Sequence, residues 1–174
     1  HRAFPAPAAG SPPPAAAQVL TLDEGTFTIS RGDSVIGRES FTIRSTPGTN
    51  GPIVQARATV AYDGRRLSPV LSADSGGAAT QYQLEVRTGA NATEILEGTI
   101  QRGRFSATMQ TPRGKNMNQY VVTEGALILD EDVFHQYYFV ARRNRSGPIP
   151  VVVPHRNVQV TMRVEDRGAA SVVV

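Results

Sequence analysis

Few side chains in this sequence can do chemistry near neutral pH, and their spacing decides how they are read. Three histidines, His1, His135 and His155, stand far apart, and neither a paired spacing nor flanking acidic ligands marks a zinc site. His135 follows Phe134 and precedes two tyrosines. It is read as a partly buried side chain hydrogen-bonded to a sheet rather than as a catalytic base. Cysteine is absent, which removes thiolate nucleophiles, thiolate metal sites and disulfides. No Gly-x-Ser-x-Gly elbow occurs, so nothing presents a serine nucleophile of the hydrolase type. Asp130, Glu131 and Asp132 could suggest calcium, yet the alternating ligand loop of an EF-hand is missing, and acidic groups at a helix start account for them. Arg31-Gly32-Asp33 matches an adhesive tripeptide but lies where a hairpin turn is expected. Asn91-Ala92-Thr93 and Asn144-Arg145-Ser146 fit the glycosylation pattern and mark surface loops. No catalytic, cofactor or metal residue is assigned, and no enzyme activity is expected.

Composition narrows the classes further. The chain of 174 residues has room for one domain of ordinary size. Its formal charge is +3, but the basic residues are scattered among acidic ones, so a nucleic-acid surface is not indicated. The largest basic cluster, Arg142, Arg143 and Arg145, falls where a helix should end and complements its dipole. Lys115 is the only lysine among 18 basic residues, the usage of a GC-rich bacterial genome. Apolar runs such as 125–129 and 151–153 are far shorter than the ~20 residues of a membrane-spanning helix. A first residue that is histidine suggests removal of a leader, hence export to the periplasm or the extracytoplasmic membrane face. The run Ala169 to Val174 ends on valines with no stop signal, so further residues and a final hairpin are expected beyond it.

The elements that would position these groups begin with an arm. Residues 1–22 are rich in proline and alanine, and Phe4, Pro5, Pro7, Pro12, Pro13 and Pro14 favour an extended polyproline II path with few backbone donors. Such a strip serves either as a spacer or as a preformed ligand for an apolar groove on a partner protein. The partner reading makes those six residues the candidate partner-binding set.

Residues 23–174 are expected to form an antiparallel β domain. Phe27 and Ile29 alternate with threonines and serine from 25 to 31, and after the turn at Gly32 and Asp33, Val35, Phe41 and Ile43 share one face of a second strand. Val54, Ala56, Ala58 and Val60 mark a third. Asp63-Gly64, Ser75-Gly76-Gly77 and Arg102-Gly103 punctuate further strands near 67–72, 82–86, 93–101 and 104–111, the spacing of a meander. Ala56, Ala58 and Ala107 leave space beside the sheet for a packed helix or a cavity. One helix is predicted near 130–143, with acids at its start, arginines at its end, and Val133, Phe134, Tyr137, Tyr138, Val140 and Ala141 on its apolar face. Strands resume at 151–153 and 158–164. The fold class is therefore mainly β with one helix: a curved antiparallel sheet or half-open β-barrel covering a single α-helix, preceded by the extended arm.

The segment from Leu127 to Tyr138, the arginine pair after it and Val151-Val152-Val153-Pro154 together resemble a pattern in uncharacterised exported bacterial β-sheet proteins. Those proteins are similar in turn to the half-open barrels that carry lipids and lipoproteins across the periplasm. The resemblance spans about residues 24–165. It implies a curved sheet wrapped around a helix, with an apolar concave side able to hold an acyl chain or another protein's hydrophobic element. Phe134, Tyr137, Tyr138, Phe105 and Met109 are the candidates for that ligand site or for the helix–sheet core. Two functions follow as expectations. One is a non-catalytic structural or accessory subunit of a bacterial envelope assembly, such as a respiratory or photosynthetic membrane complex, binding through arm and sheet. The other is a periplasmic carrier of a lipid or similar apolar ligand.

Overall fold

A computed structural model describes residues 18–143 and 147–165. The arm residues Phe4, Pro5, Pro7, Pro12, Pro13 and Pro14, the Asn144-Arg145-Ser146 pattern and the closing valines lie outside them. Eight strands come first: β1 (Leu20–Arg31), β2 (Ser34–Thr46), β3 (Ile53–Tyr62), β4 (Arg65–Ala73), β5 (Ala79–Thr88), β6 (Asn91–Gln101), β7 (Arg104–Thr111) and β8 (Gly114–Val121). Each pairs antiparallel with its neighbour in sequence, giving the order β1 to β8. The sheet is open, with β1 and β8 at its edges.

Local chemistry explains the hairpins. Asp63 and Gly64 both take positive φ (53° and 73°), as do Arg102 and Gly103 (50° and 70°). That is the backbone of two-residue turns whose twist matches the flanking strands. Connections this short permit only antiparallel neighbours, which is why a meander results.

The second layer is built from β9 (Leu127–Ile128), α1 (Tyr137–Arg142), β10 (Gly147–Val153) and β11 (Val158–Val164). β10 pairs antiparallel with β11 and parallel with β9, a three-stranded sheet in the order β11, β10, β9. Pro148 and Pro150 share the parity of Val152, whose carbonyl accepts the Leu129 amide, so their missing N–H groups fall on the β9 side, where pairing stops. Ile43, Val60, Leu67, Leu84, Leu96 and Phe105 from the large sheet join Leu127, Ile128, Val133, Phe139, Val151 and Val152 in one apolar cluster. Among the described residues no helix is long and apolar enough to cross a membrane.

Three expectations change. Pairing begins at Leu20, so residues 20–22, assigned to the arm, belong to β1. The strand β8 was not anticipated. The helix predicted near 130–143 is confined to Tyr137–Arg142, with Gln136 at its N-cap and no acidic residue in its first turn. Asp132 has φ 61°, a left-handed conformation that no helix interior tolerates, and Asp130 is buried on other partners. The predicted apolar face holds in part: Val133 is buried and Tyr138 and Val140 pack against the core, whereas Phe134, Tyr137 and Ala141 are exposed and Phe139, outside the predicted face, is the helix's buried residue.

Candidate functional site

Three polar side chains stand among the apolar residues of the inward face of the large sheet and meet the second layer. Glu39 follows Gly37 and precedes Phe41 on the inner side of β2, Tyr82 sits among Leu84 and Val86 on β5, and Glu94 precedes Leu96 on β6. Each meets a partner from the segment between β9 and α1 or from the β10–β11 turn. Buried polar groups must find such partners or cost about 1–3 kcal/mol each.

Glu39 is fully buried. Its Oε2 accepts the Phe134 amide at 2.7 Å and its Oε1 the His135 amide at 3.0 Å, while His135 Nδ1 lies 2.5 Å from Oε1. Burial pushes the Glu39 carboxyl up, but these three hydrogen bonds and the nearby imidazole outweigh it and hold the group below its ordinary value. The His135 ring stacks on Phe41, centroids 6.1 Å apart, and Phe41 stacks on Phe27 at 5.1 Å.

Asp130 is the centre of a second cluster. Oδ2 accepts the Tyr82 hydroxyl at 2.9 Å and faces His155 Nδ1 at 3.0 Å; Oδ1 accepts the amides of Glu131 at 3.0 Å and His155 at 3.2 Å. The Asp130 amide donates to Gln136 Oε1 at 2.6 Å. His155 Nε2 in turn lies 2.9 Å from Glu94 Oε2. An imidazole held between two carboxylates donates from both nitrogens and is an imidazolium. The hydrogen bond to Asp130 leads the effects that raise its pKa to about 9, against the opposing pull of burial. Burial, then the charge and hydrogen bond of Asp130, push the Tyr82 phenol well above its usual value. At the rim, the Tyr62 hydroxyl donates to Asp132, and burial with that contact raises Tyr62 to about 12.

The hydrogen bonds of both clusters tie distant chain segments together. His155 has no free nitrogen with which to abstract a proton. His135 has one, Nε2, but the atom is buried without a hydrogen-bond partner, and a general base must reach the proton it takes. Among the described residues no group of three or more His, Asp or Glu is arranged to hold a metal ion. The two clusters fasten residues 130–136 and 154–156 to strands β2, β5 and β6.

Beside this segment runs a mainly apolar groove of about 480 Å³, lined by Val133, Phe134, Tyr137, Val153, Val160 and Met162 among others, and also by the charged side chains of Glu131, Asp132 and Arg156. Arg156 pairs there with Glu131 at 2.5 Å.

The five apolar candidates therefore separate. Phe134 and Tyr137 line the groove. Phe105 is fully buried in the core and packs on Tyr120 at 5.4 Å; Met109 lies partly buried against the same core. Tyr138 meets Phe139 edge-on at 5.5 Å and accepts a hydrogen bond from Arg142 at 2.9 Å. His135 is bonded to the sheet, as expected, but precedes the helix. Sequence reasoning missed Glu39, Glu94, Tyr82 and the pairing of Asp130 with His155. For Glu39 a signal existed, since period-two counting puts it on the face of Phe41 and Ile43. None of the family models, curated proteins or solved structures compared with the chain matches it.

Proposed function

We propose that this chain is a non-catalytic accessory subunit of a bacterial envelope assembly on the periplasmic or extracytoplasmic face, such as a respiratory or photosynthetic membrane complex. It binds its partner through the Pro/Ala-rich arm and the sheet. In this reading the large sheet curves as a half-open barrel around the 129–143 segment. The observation that carries it is apolar surface left open where the arm joins the sheet: Val19 and Leu20 are 58% and 61% exposed. A second opening lies on edge strand β8, where Met117 and Val121 are 76% and 71% exposed. Apolar side chains left open at the arm junction and on an edge strand are available to a partner, and the groups that could react are engaged inside the fold.

The test is purification from native membranes followed by native mass spectrometry. The full chain should co-purify with a membrane complex, and deleting residues 1–17 or replacing Val19 and Leu20 by serine should release it without changing its circular dichroism. A monomer unaffected by either change would end the reading.

The groove favours a second reading, a carrier of a lipid or other apolar ligand. Its volume falls within the ~300–1,000 Å³ of small-ligand sites. An acyl chain retained by the delipidated protein on re-addition, and lost in Phe134→Ser with Val160→Asp, would support the carrier; equal retention by the variant would exclude this groove.

A further inference from the structure

We propose that the outer edge of β1 pairs with the same edge of a second copy of this chain, joining two large sheets about a two-fold axis at Phe27. This inference is independent of the arm and of the envelope partner.

β1 presents an unpaired edge among the described residues. Its pairing with β2 is broken once by an extra residue at Leu22, and from Asp23 to Arg31 the strand itself runs without interruption, the second irregularity falling in β2. Edges that stay single are usually blunted by lysine, proline or inward charges. β8 carries the chain's only lysine, Lys115, whereas the nine residues from Asp23 to Arg31 hold neither lysine nor proline, and their two inward charges, Asp23 and Arg31, are of opposite sign and stand at the two ends, where each can meet the other.

Those nine residues are self-complementary. In antiparallel pairing, directly opposed residues share a face, so the two-fold must pass through a residue. Centred on Phe27, all nine pair. On the inner face Phe27 meets Phe27 of the second copy, Gly25 meets Ile29, and Asp23 meets Arg31 at both ends. On the outer face Thr26 meets Thr28 and Glu24 meets Ser30. No like charges oppose one another, and both ion pairs form. Centring on Thr26 sets Asp23 against Ile29; centring on Thr28 loses Asp23 altogether. Both neighbouring registers forfeit the ion pairs.

The pairing also covers apolar surface. Phe27 is 42% exposed and stacked on Phe41, which stacks on His135. In the dimer this row of rings continues across the axis into the second copy. Arg31 already lies 3.8 Å from Asp63, with both side chains largely exposed, so its guanidinium can take a second carboxylate. The contact is isologous, closes on itself and leads to no fibre.

Sedimentation velocity on the full chain tests this. Wild type should show a concentration-dependent monomer–dimer equilibrium. Asp23→Arg sets arginine against Arg31, and Arg31→Asp sets aspartate against Asp23; each alone should weaken dimerisation at least about tenfold. An equimolar mixture of the two restores both ion pairs in a heterodimer and should sediment as a dimer. Asp63→Asn removes Arg31's partner within the chain and should leave the dimer intact. Circular dichroism checks that the exposed substitutions leave the fold unchanged. A wild type that stays monomeric throughout, single variants that dimerise as well as wild type, or a mixture that stays monomeric would each overturn the proposal.

Discussion

Asp130 accepts hydrogen bonds from the Tyr82 hydroxyl, the His155 ring and the amides of Glu131 and His155. Removing one donor while the carboxylate stays buried forfeits a charge-assisted bond, so Tyr82→Phe should cost about 1–3 kcal/mol in urea unfolding. His155 ties the same site to pH. Its folded pKa, raised from 6.5 to about 9, means that its contribution is complete below pH 6.5 and lost as pH rises through about 9. The gap corresponds to on the order of 3 kcal/mol. The sign is opposite for Glu39, whose folded pKa lies below its ordinary 4.5: its contribution is present above that value and lost as acid titrates the folded group. Stability should therefore peak between about pH 4.5 and 6.5, where both contributions are present. Denaturation midpoints across pH would check this, and in His155→Gln the decline on the alkaline side should flatten. An unchanged alkaline limb in that variant would mean that His155 is not the group responsible.

At the scale of elements, close approach of backbones sets a stricter demand than propensity. Gly37 on β2 stands against β3, where an added Cβ would come within 2.3 Å of Tyr62 Cβ and 2.4 Å of the Ala61 carbonyl oxygen. Both are held close to the β3 backbone and cannot rotate away. Gly37→Ala should thus force β2 from β3 and destabilise by about 1–3 kcal/mol, read as a lowered thermal midpoint; an unchanged midpoint would show that the strands separate freely there. The β9–α1 segment illustrates competition between local and distant partners. Three consecutive acids before an apolar run favour a helix start by every local rule, but Tyr82 and His155 claim Asp130, and Asp132 turns left-handed beside Tyr62.

For the molecule as a whole, one apolar cluster joins both sheets, and the carboxylate–histidine contacts cross the same interface. The two layers should therefore unfold together. Tyrosine fluorescence and far-ultraviolet circular dichroism are expected to give coincident denaturation curves, and Phe105→Ala, which empties a fully buried position, should shift both by about 3–5 kcal/mol. Separate transitions would show that the three-stranded sheet is an independent unit.

The succession β1 to β7, the hairpin turns and the meander order were legible in the residues, because period-two alternation and Asp-Gly or Arg-Gly turns act within a few positions of chain. Strand β8 was not: Lys115, Asn116, Asn118 and Gln119 show no alternation of apolar residues, and its place comes from pairing with β7. The parallel contact of β9 with β10, the late start of the helix, and the meeting of Glu39 with His135 and of Glu94, Asp130 and Tyr82 around His155 were decided by tertiary structure alone. Their partners stand up to 96 residues apart, and only the folded sheet brings them together and removes the water that would otherwise satisfy each group separately.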